Sequence, residues 1–278
     1  MILLIDSGNS RLKLALCQAL PARPDGLAGA HRATFEIGDT VGARQWLDEH
    51  AGGLTQAWGV NVAGASQRAK IDTLVADHGA SVHWFTAQAR TGALRNAYAD
   101  PRRLGADRWA AMLGVLARQD AGHRPFVLAS FGTATTIDMV DADAVFRGGM
   151  ILPGPALMRR SLSDGTANLP LAQAPSVLFP DHTQAAIATG VAAAQAGALM
   201  RQYLLACECF GAPPALYVSG GGWQDVHAET SRLLDTLARS ADRPGTTPAG
   251  QAIEFLDHPV LDGLVYMAHH SHDEGTGS

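Results

Sequence analysis

The chain has 278 residues, 47% of them hydrophobic and 17% charged, and a formal net charge of −5. This is the composition of an ordinary globular enzyme, long enough for one large domain or two small ones. The acidic balance gives no general affinity for nucleic acid or for an anionic membrane. The three cysteines, Cys17, Cys207 and Cys209, have no framework spacing, which points to a reducing compartment. Cys207 and Cys209 stand two apart in a helical run and face different ways, so they do not make a metal site. The longest apolar stretch, 185–206, is broken by Gln195, Arg201 and Gln202 and reads as a buried, alanine-rich helix rather than a membrane span. Met1 leads straight into a strand with no secretory signal, so a cytoplasmic location is expected.

Residues 2–15 open the chain with a buried strand, a tight turn and a partner strand. Gly8 lets the backbone come close to a ligand. Asp6 at the strand end is placed to hold a metal-bound water, Ser7, Asn9 and Ser10 offer donors, and Lys13 brings a positive charge back beside the turn. That set suits nucleotide phosphates with Mg²⁺. The alternative is an ordinary hairpin whose Asp-Ser-Gly-Asn-Ser only makes the turn. A turn-rich connection follows over 21–29, then a strand over 31–37. Helices are expected over 42–50 and 67–78, and strands over 56–62 and 81–85. A helix over 107–119, with an apolar stripe of Trp109, Leu113 and Leu116, ends the first half.

The second half repeats that order. Residues 126–139 reproduce the opening hairpin at an offset of 124, which matches Leu4 with Leu128, Gly8 with Gly132 and Asn9 with Thr133. A third strand is expected over 145–152, a long helix over 183–210, a strand over 215–218, a helix over 224–237, a strand over 252–255 and a closing helix over 262–269. His269, His270 and His272 read as an exposed end, and 272–278 as a disordered tail. The duplication predicts an α/β protein of two similar domains, 1–121 and 122–278, with a cleft between them.

Several short motifs carry the chemistry. Gly105-Ala106-Asp107-Arg108 stands at a helix start. Asp107 there is either a helix N-cap or a base that takes the proton of a substrate hydroxyl as it attacks a γ-phosphate. Arg108 offers a planar fork to a carboxylate or phosphate. Thr133 is either a turn residue or an ATP contact. Gly220-Gly221-Gly222 is either a flexible turn or a close approach to an adenine or ribose. Thr183, as a bare residue, reads as a helix N-cap.

Taken in order, five stretches resemble one family. They are Asp6-Ser7-Gly8-Asn9-Ser10 with Lys13; Tyr98-x-x-Pro101-x-x-Leu104-Gly105-Ala106-Asp107-Arg108-Trp109; Gly132-Thr133-Ala134-x-Thr136-x-Asp138; Gly148-Gly149-x-Ile151-x-Pro153-Gly154; and Thr166-Ala167-x-Leu169-Pro170. The chain resembles type III pantothenate kinases of the actin/sugar-kinase/Hsp70-like superfamily from Met1 to about Tyr266. The resemblance implies duplicated ribonuclease-H-like, actin-like ATPase domains and phosphorylation of pantothenate by ATP, the first step towards coenzyme A. It implies Asp107 as base. It assigns Asp6, Ser7, Gly8, Asn9, Ser10, Arg11, Leu12, Lys13 and Thr133 to ATP, with Asp6 for Mg²⁺. It assigns Tyr98, Gly105, Ala106, Asp107, Arg108 and Thr183 to pantothenate, Thr183 reaching across a homodimer.

The departure from the family pattern is Ser130. The family usually has an Asp there, which holds a monovalent cation such as K⁺ or NH4⁺, and Ser brings no charge. A binding-only accessory protein on the same fold is the rival reading, and the presence of Asp6, Lys13, Asp107 and Arg108 favours the enzyme. No G-x-x-x-x-G-K-[ST], G-x-S-x-G or H-E-x-x-H pattern offers rival chemistry.

Overall fold

The computed structural model describes residues 1–22, 27, 29–119, 123–211, 213–240 and 252–270. The chain divides into two units: Met1–His123 together with the segment from His258, and Arg124–Asp257. Unit 1 begins with β1 (Ile2–Ser7), β2 (Arg11–Cys17) and β3 (His31–Glu36), followed by α1 (Thr40–His50), β4 (Gln56–Asn61), α2 (Ala65–Ala76) and β5 (Val82–Trp84). A short hairpin, β6 (Arg90–Thr91) and β7 (Leu94–Asn96), precedes α3 (Ala106–Arg118). A five-stranded sheet runs β3-β2-β1-β4-β5, antiparallel among the first three strands and parallel beyond β1. Successive residues of a strand face opposite ways, so Leu3 and Ile5 enter one core with Leu14, Ala43, Leu47, Ile71, Leu74 and Val75.

Unit 2 repeats the plan. Its elements are β8 (Phe126–Phe131), β9 (Ala134–Val140), β10 (Val145–Pro153), α4 (Pro155–Gly165), α5 (Thr183–Phe210), β11 (Ala215–Ser219), α6 (Trp223–Ser240) and β12 (Ile253–Phe255). Its strands lie in the order β12-β11-β8-β9-β10, the same arrangement as unit 1. Val127, Ala129, Phe131 and Ile137 pack with Ala196 and Leu199 of α5 and Val226 of α6. The last helix, α7 (Pro259–His270), belongs to unit 1, whereas the sequence places the end of the chain with the second half. The physical reason is its crossing with α3. A Cβ on Gly263 would lie 1.7 Å from the Ala110 carbonyl oxygen, so only glycine lets the two backbones meet. Arg118 of α3 closes the crossing with two bonds to the buried Asp262, 2.6 and 2.9 Å long.

Some elements differ from the sequence expectation. The hairpin β6–β7 and helix α4 are additional. Helix α3 starts at Ala106 rather than Asp107, α6 spans Trp223–Ser240, and α7 starts at Pro259. Residues 23–26 and 28 of the expected turn-rich connection, and His272 with the rest of the expected tail, lie outside the described residues. His269 and His270 both make contacts: His269 Nε2 is 2.8 Å from the carbonyl of Pro21, near the other end of the chain, and the His270 ring stacks on Tyr266. Among the described residues no helix is long and apolar enough to cross a membrane.

Candidate active site

In unit 1 the first turn is held by Gly8 N–H donating to the Arg11 carbonyl at 3.0 Å. Asp6 on β1 faces Lys13 on β2 in direct register, and Lys13 Nζ lies 3.1 Å from Asp6 Oδ2. Asp6 is only 5% exposed, so this pair stands in a medium where charge is weakly screened. The rest of the turn divides. Asn9 is exposed; Ser10 is half-buried, and its carbonyl accepts from Ile37 N–H. Arg11 points outward to Glu36 at 3.0 Å. Ser7 and Leu12 are buried: Leu12 lies in the core, and the Ser7 hydroxyl has no hydrogen-bond partner among the described residues. Both also pair within the sheet, Ser7 with Leu12 and Asn61 and Leu12 with Phe35.

Asp107 and Arg108 stand in the first turn of α3, with Gly105 as the N-cap. Asp107 is therefore not the N-cap; its Oδ1 accepts from Arg108 N–H at 2.8 Å. Burial pushes the Asp107 pKa up from the ordinary carboxylate value, and the negative charge of Asp6 pushes it further. The Arg108 backbone N–H and guanidinium pull the other way and are outweighed. A carboxyl of raised proton affinity next to a second carboxylate is the pairing expected of a general base. Arg108 is buried, and its guanidinium lies 3.4 Å from the Tyr98 hydroxyl, which joins the two expected substrate contacts.

The loop before α3 is fixed by Asn96, a residue the motif reading passes over. Asn96 Oδ1 accepts from Tyr98 N–H at 3.0 Å, and its amide donates to the carbonyls of Gln88 and Pro101. The signal available in sequence is an Asn two residues before Tyr98, the spacing of an Asx turn. Ala106 is buried beside Trp109, whose Nε1 donates to Thr91 Oγ1 at 3.2 Å.

In unit 2 the second hairpin is one residue shorter. Ser7 pairs with Leu12 across the first turn, but Phe131 pairs with Thr135 across the second. The offset of 124 therefore holds on the first strand and slips to 123 beyond the turn, so the counterpart of Lys13 is Thr136. Where unit 1 has Asp6 facing Lys13, unit 2 has Ser130 facing Thr136, with Ser219 on the other side of Ser130. That row holds three hydroxyls and no charge. The acid on the same side of β9, Asp138, stands two residues further along and is buried. These residues do not fit an anionic site for a monovalent cation. Asp6 does fit a share in Mg²⁺: it is a buried carboxylate beside the turn whose charge is felt at Asp107. Among the described residues no group of three or more His, Cys, Asp or Glu side chains is placed to hold a metal ion by itself.

Thr133 is exposed at the tip of the second turn, and its carbonyl accepts from Gly154 N–H at 2.9 Å. The triple glycine has a packing role in part. A Cβ on Gly220 would lie 2.4 Å from the Phe131 carbonyl oxygen, while Gly221 faces open space. Arg159 of α4 grips Asp225 at the start of α6 with bonds of 3.1 and 3.0 Å. Thr183 is the first residue of α5, not its cap: His182 is the N-cap and accepts from Ala185 N–H. Thr183 is exposed and lines an apolar groove between α4 and α5.

Residues 2–204 match the profile of the family described as type III pantothenate kinase. A type III pantothenate kinase of Bordetella petrii is 51% identical over 268 residues, covering 96% of this chain and 97% of the relative. At the level of fold alone, a Campylobacter jejuni protein described as a candidate Baf family transcriptional activator superimposes with a TM-score of 0.54 at 19% identity, covering 98% and 99% of the two chains. The PilM–PilN complex of type IV pilus biogenesis superimposes with a TM-score of 0.53 at 11% identity, covering 96% of this chain and 97% of that one. With two sheets of the same strand order and a family match across most of its length, the chain belongs to the type III pantothenate kinases, on duplicated ribonuclease-H-like domains.

Proposed function

We propose that the chain transfers the γ-phosphoryl group of ATP to the primary hydroxyl of pantothenate, giving 4'-phosphopantothenate and ADP, the first step of coenzyme A biosynthesis. The observation that carries this reading is Asp107, a carboxyl of raised proton affinity beside Asp6 and Arg108. Asp107 accepts the hydroxyl proton, the hydroxyl oxygen attacks the γ-phosphorus, and ADP leaves with the electrons of the broken bond. Arg108, linked to Tyr98, meets the substrate carboxylate or the moving phosphate with a guanidinium already desolvated by burial. The polar turn from Asp6 to Lys13, with Thr133, binds ATP, and Lys13 stays beside Asp6 as the phosphates arrive. Mg²⁺ bound with ATP supplies neutralisation of phosphate charge, with Asp6 as its protein contact.

In this reading the protein works in the cytoplasm as a homodimer, and Thr183 reaches the pantothenate site of the second copy. K⁺ or NH4⁺ is given no anionic site, because Ser130 and its neighbours are neutral. Asp6, Lys13, Asp107 and Arg108 are all present, which favours the kinase over a binding-only role. The test is ADP release with purified protein and either pantothenate or a panel of hexoses: release specific to pantothenate supports the reading, and release specific to a sugar refutes it.

A further inference from the structure

The hairpin β6–β7 stands just before the loop that carries Tyr98, and it is tied down on both sides of its turn. Thr91 Oγ1 accepts from the indole N–H of Trp109, a fully buried residue of α3, at 3.2 Å. Ala93 N–H donates to the Tyr266 hydroxyl of α7 at 3.3 Å. Helix α3 also carries Asp107 and Arg108. The hairpin is therefore a footing fixed to the helix of the candidate base. Asn96, the last residue of β7, passes that footing on to the loop. Its backbone N–H donates to the Ala89 carbonyl at 2.9 Å, and its side-chain amide donates to the Gln88 carbonyl at 3.3 Å. The same amide donates to the Pro101 carbonyl at 3.2 Å, and Asn96 Oδ1 accepts from Tyr98 N–H at 3.0 Å. One half-buried side chain thus holds the loop on both sides of Tyr98 and ties it to the segment that enters the hairpin. The task calls for an acceptor and two N–H groups on a short stem, which Asn has and Asp and Ser lack.

We propose that Asn96 is a positioning residue for the pantothenate site and acts through Tyr98. It fixes the loop that brings the Tyr98 hydroxyl to the Arg108 guanidinium, 3.4 Å away. Its own polar atoms are taken up by backbone groups, so it works without touching substrate. The proposal rests on the pantothenate reading above and adds what sets the substrate loop. The chemistry at Asp107 is held separately, because Asp107 Oδ1 accepts from Arg108 N–H within α3. The turn after β1, where Lys13 meets Asp6, is also outside the reach of Asn96. Loss of the Asn96 side chain should therefore appear in the affinity for pantothenate more than in turnover or in the use of ATP.

The test is steady-state kinetics of the full chain with pantothenate and ATP varied in turn. Asn96→Ala should raise KM for pantothenate about 10- to 100-fold, the scale on which a small misplacement of a binding group is felt, while kcat falls about threefold or less and KM for ATP stays within about twofold. Asn96→Ser keeps an oxygen that can accept from Tyr98 N–H and should recover part of the loss. Tyr98→Phe removes only the hydroxyl. In that background Asn96→Ala should add about threefold or less, because both changes act on one contact. Melting by circular dichroism accompanies each variant, and Asn96→Ser carries the same cycle if Asn96→Ala does not fold. The proposal is wrong if the two changes multiply in full, if KM for pantothenate is unmoved, or if KM for ATP rises as far as KM for pantothenate. In each of those cases the native chain still phosphorylates pantothenate and the kinase reading stands. If the native chain phosphorylates no pantothenate, the kinase reading falls and this proposal with it.

Discussion

Replacing Asp107 with Asn separates chemistry from fold. The amide oxygen of the new side chain can still accept from Arg108 N–H, so the local backbone bond survives. The proton acceptor is lost, and turnover should fall by about 10²- to 10⁴-fold, the range for removal of a general base, or roughly 2.7–5.4 kcal/mol of barrier. Stability should move in the opposite direction. The folded-state pKa of Asp107 is raised by burial and by Asp6, so folding favours its protonated form. At neutral pH the ionised carboxylate therefore costs stability, and that cost disappears as pH falls below the ordinary aspartate value. Asp107→Asn should unfold at higher temperature than the native protein at pH 7, and the gap should close on acidification. A gain of about 1 kcal/mol corresponds to roughly 2–4 °C in a protein of this size. The same raised pKa places the acid limb of the native pH–rate profile above that of an ordinary aspartate. Native turnover in Asp107→Asn, or a variant less stable than the parent at pH 7, would refute the assignment.

Three further outcomes are expected. Asp6→Asn should weaken Mg-ATP binding in calorimetry while leaving pantothenate binding nearly intact, and it should lower the Asp107 pKa followed by carboxyl NMR, because one cause of the upward shift is gone; an unmoved Asp107 titration would remove Asp6 from the account. Turnover should be nearly equal in K⁺, Na⁺ and a bulky organic cation at matched ionic strength, and Ser130→Asp should create a K⁺ response; collapse of the native rate without K⁺ would show that another group replaces the missing carboxylate. Gly263→Ala should destabilise unit 1 by about 1–3 kcal/mol or more in urea unfolding, because the added methyl meets the Ala110 carbonyl oxygen of α3; an unchanged midpoint would show that α7 does not clamp α3.

Much of the fold was legible because it rests on local pattern. Both hairpins that begin a unit carry their apolar strand and glycine turn in consecutive residues, and α5 starts and ends as its composition suggests. The slip of the repeat at Ser130 and Thr136 was not legible, since a constant offset says nothing about a turn one residue shorter. Helix α4 was hidden behind Gly154-Pro155, which reads as a turn, although Pro is well suited to the first helical position. The placement of α7 was invisible for another reason: periodicity shows that a helix has an apolar face but not which helix it meets. In the candidate site, Asp107 and Arg108 stood out by motif. The shift at Asp107 did not, because it comes first from burial in the fold and then from Asp6, which lies about a hundred positions earlier in the chain. Asn96 was missed because its task is to hold other residues rather than to meet a substrate.

The central claim is that this chain phosphorylates pantothenate at the expense of ATP. Its most direct measurement is mass spectrometry of the products formed by the purified protein from Mg-ATP and pantothenate, run beside Asp107→Asn. The native chain should give ADP and phosphopantothenate in equal amounts, and the variant almost none. ADP without phosphopantothenate, or equal product from both proteins, would contradict it.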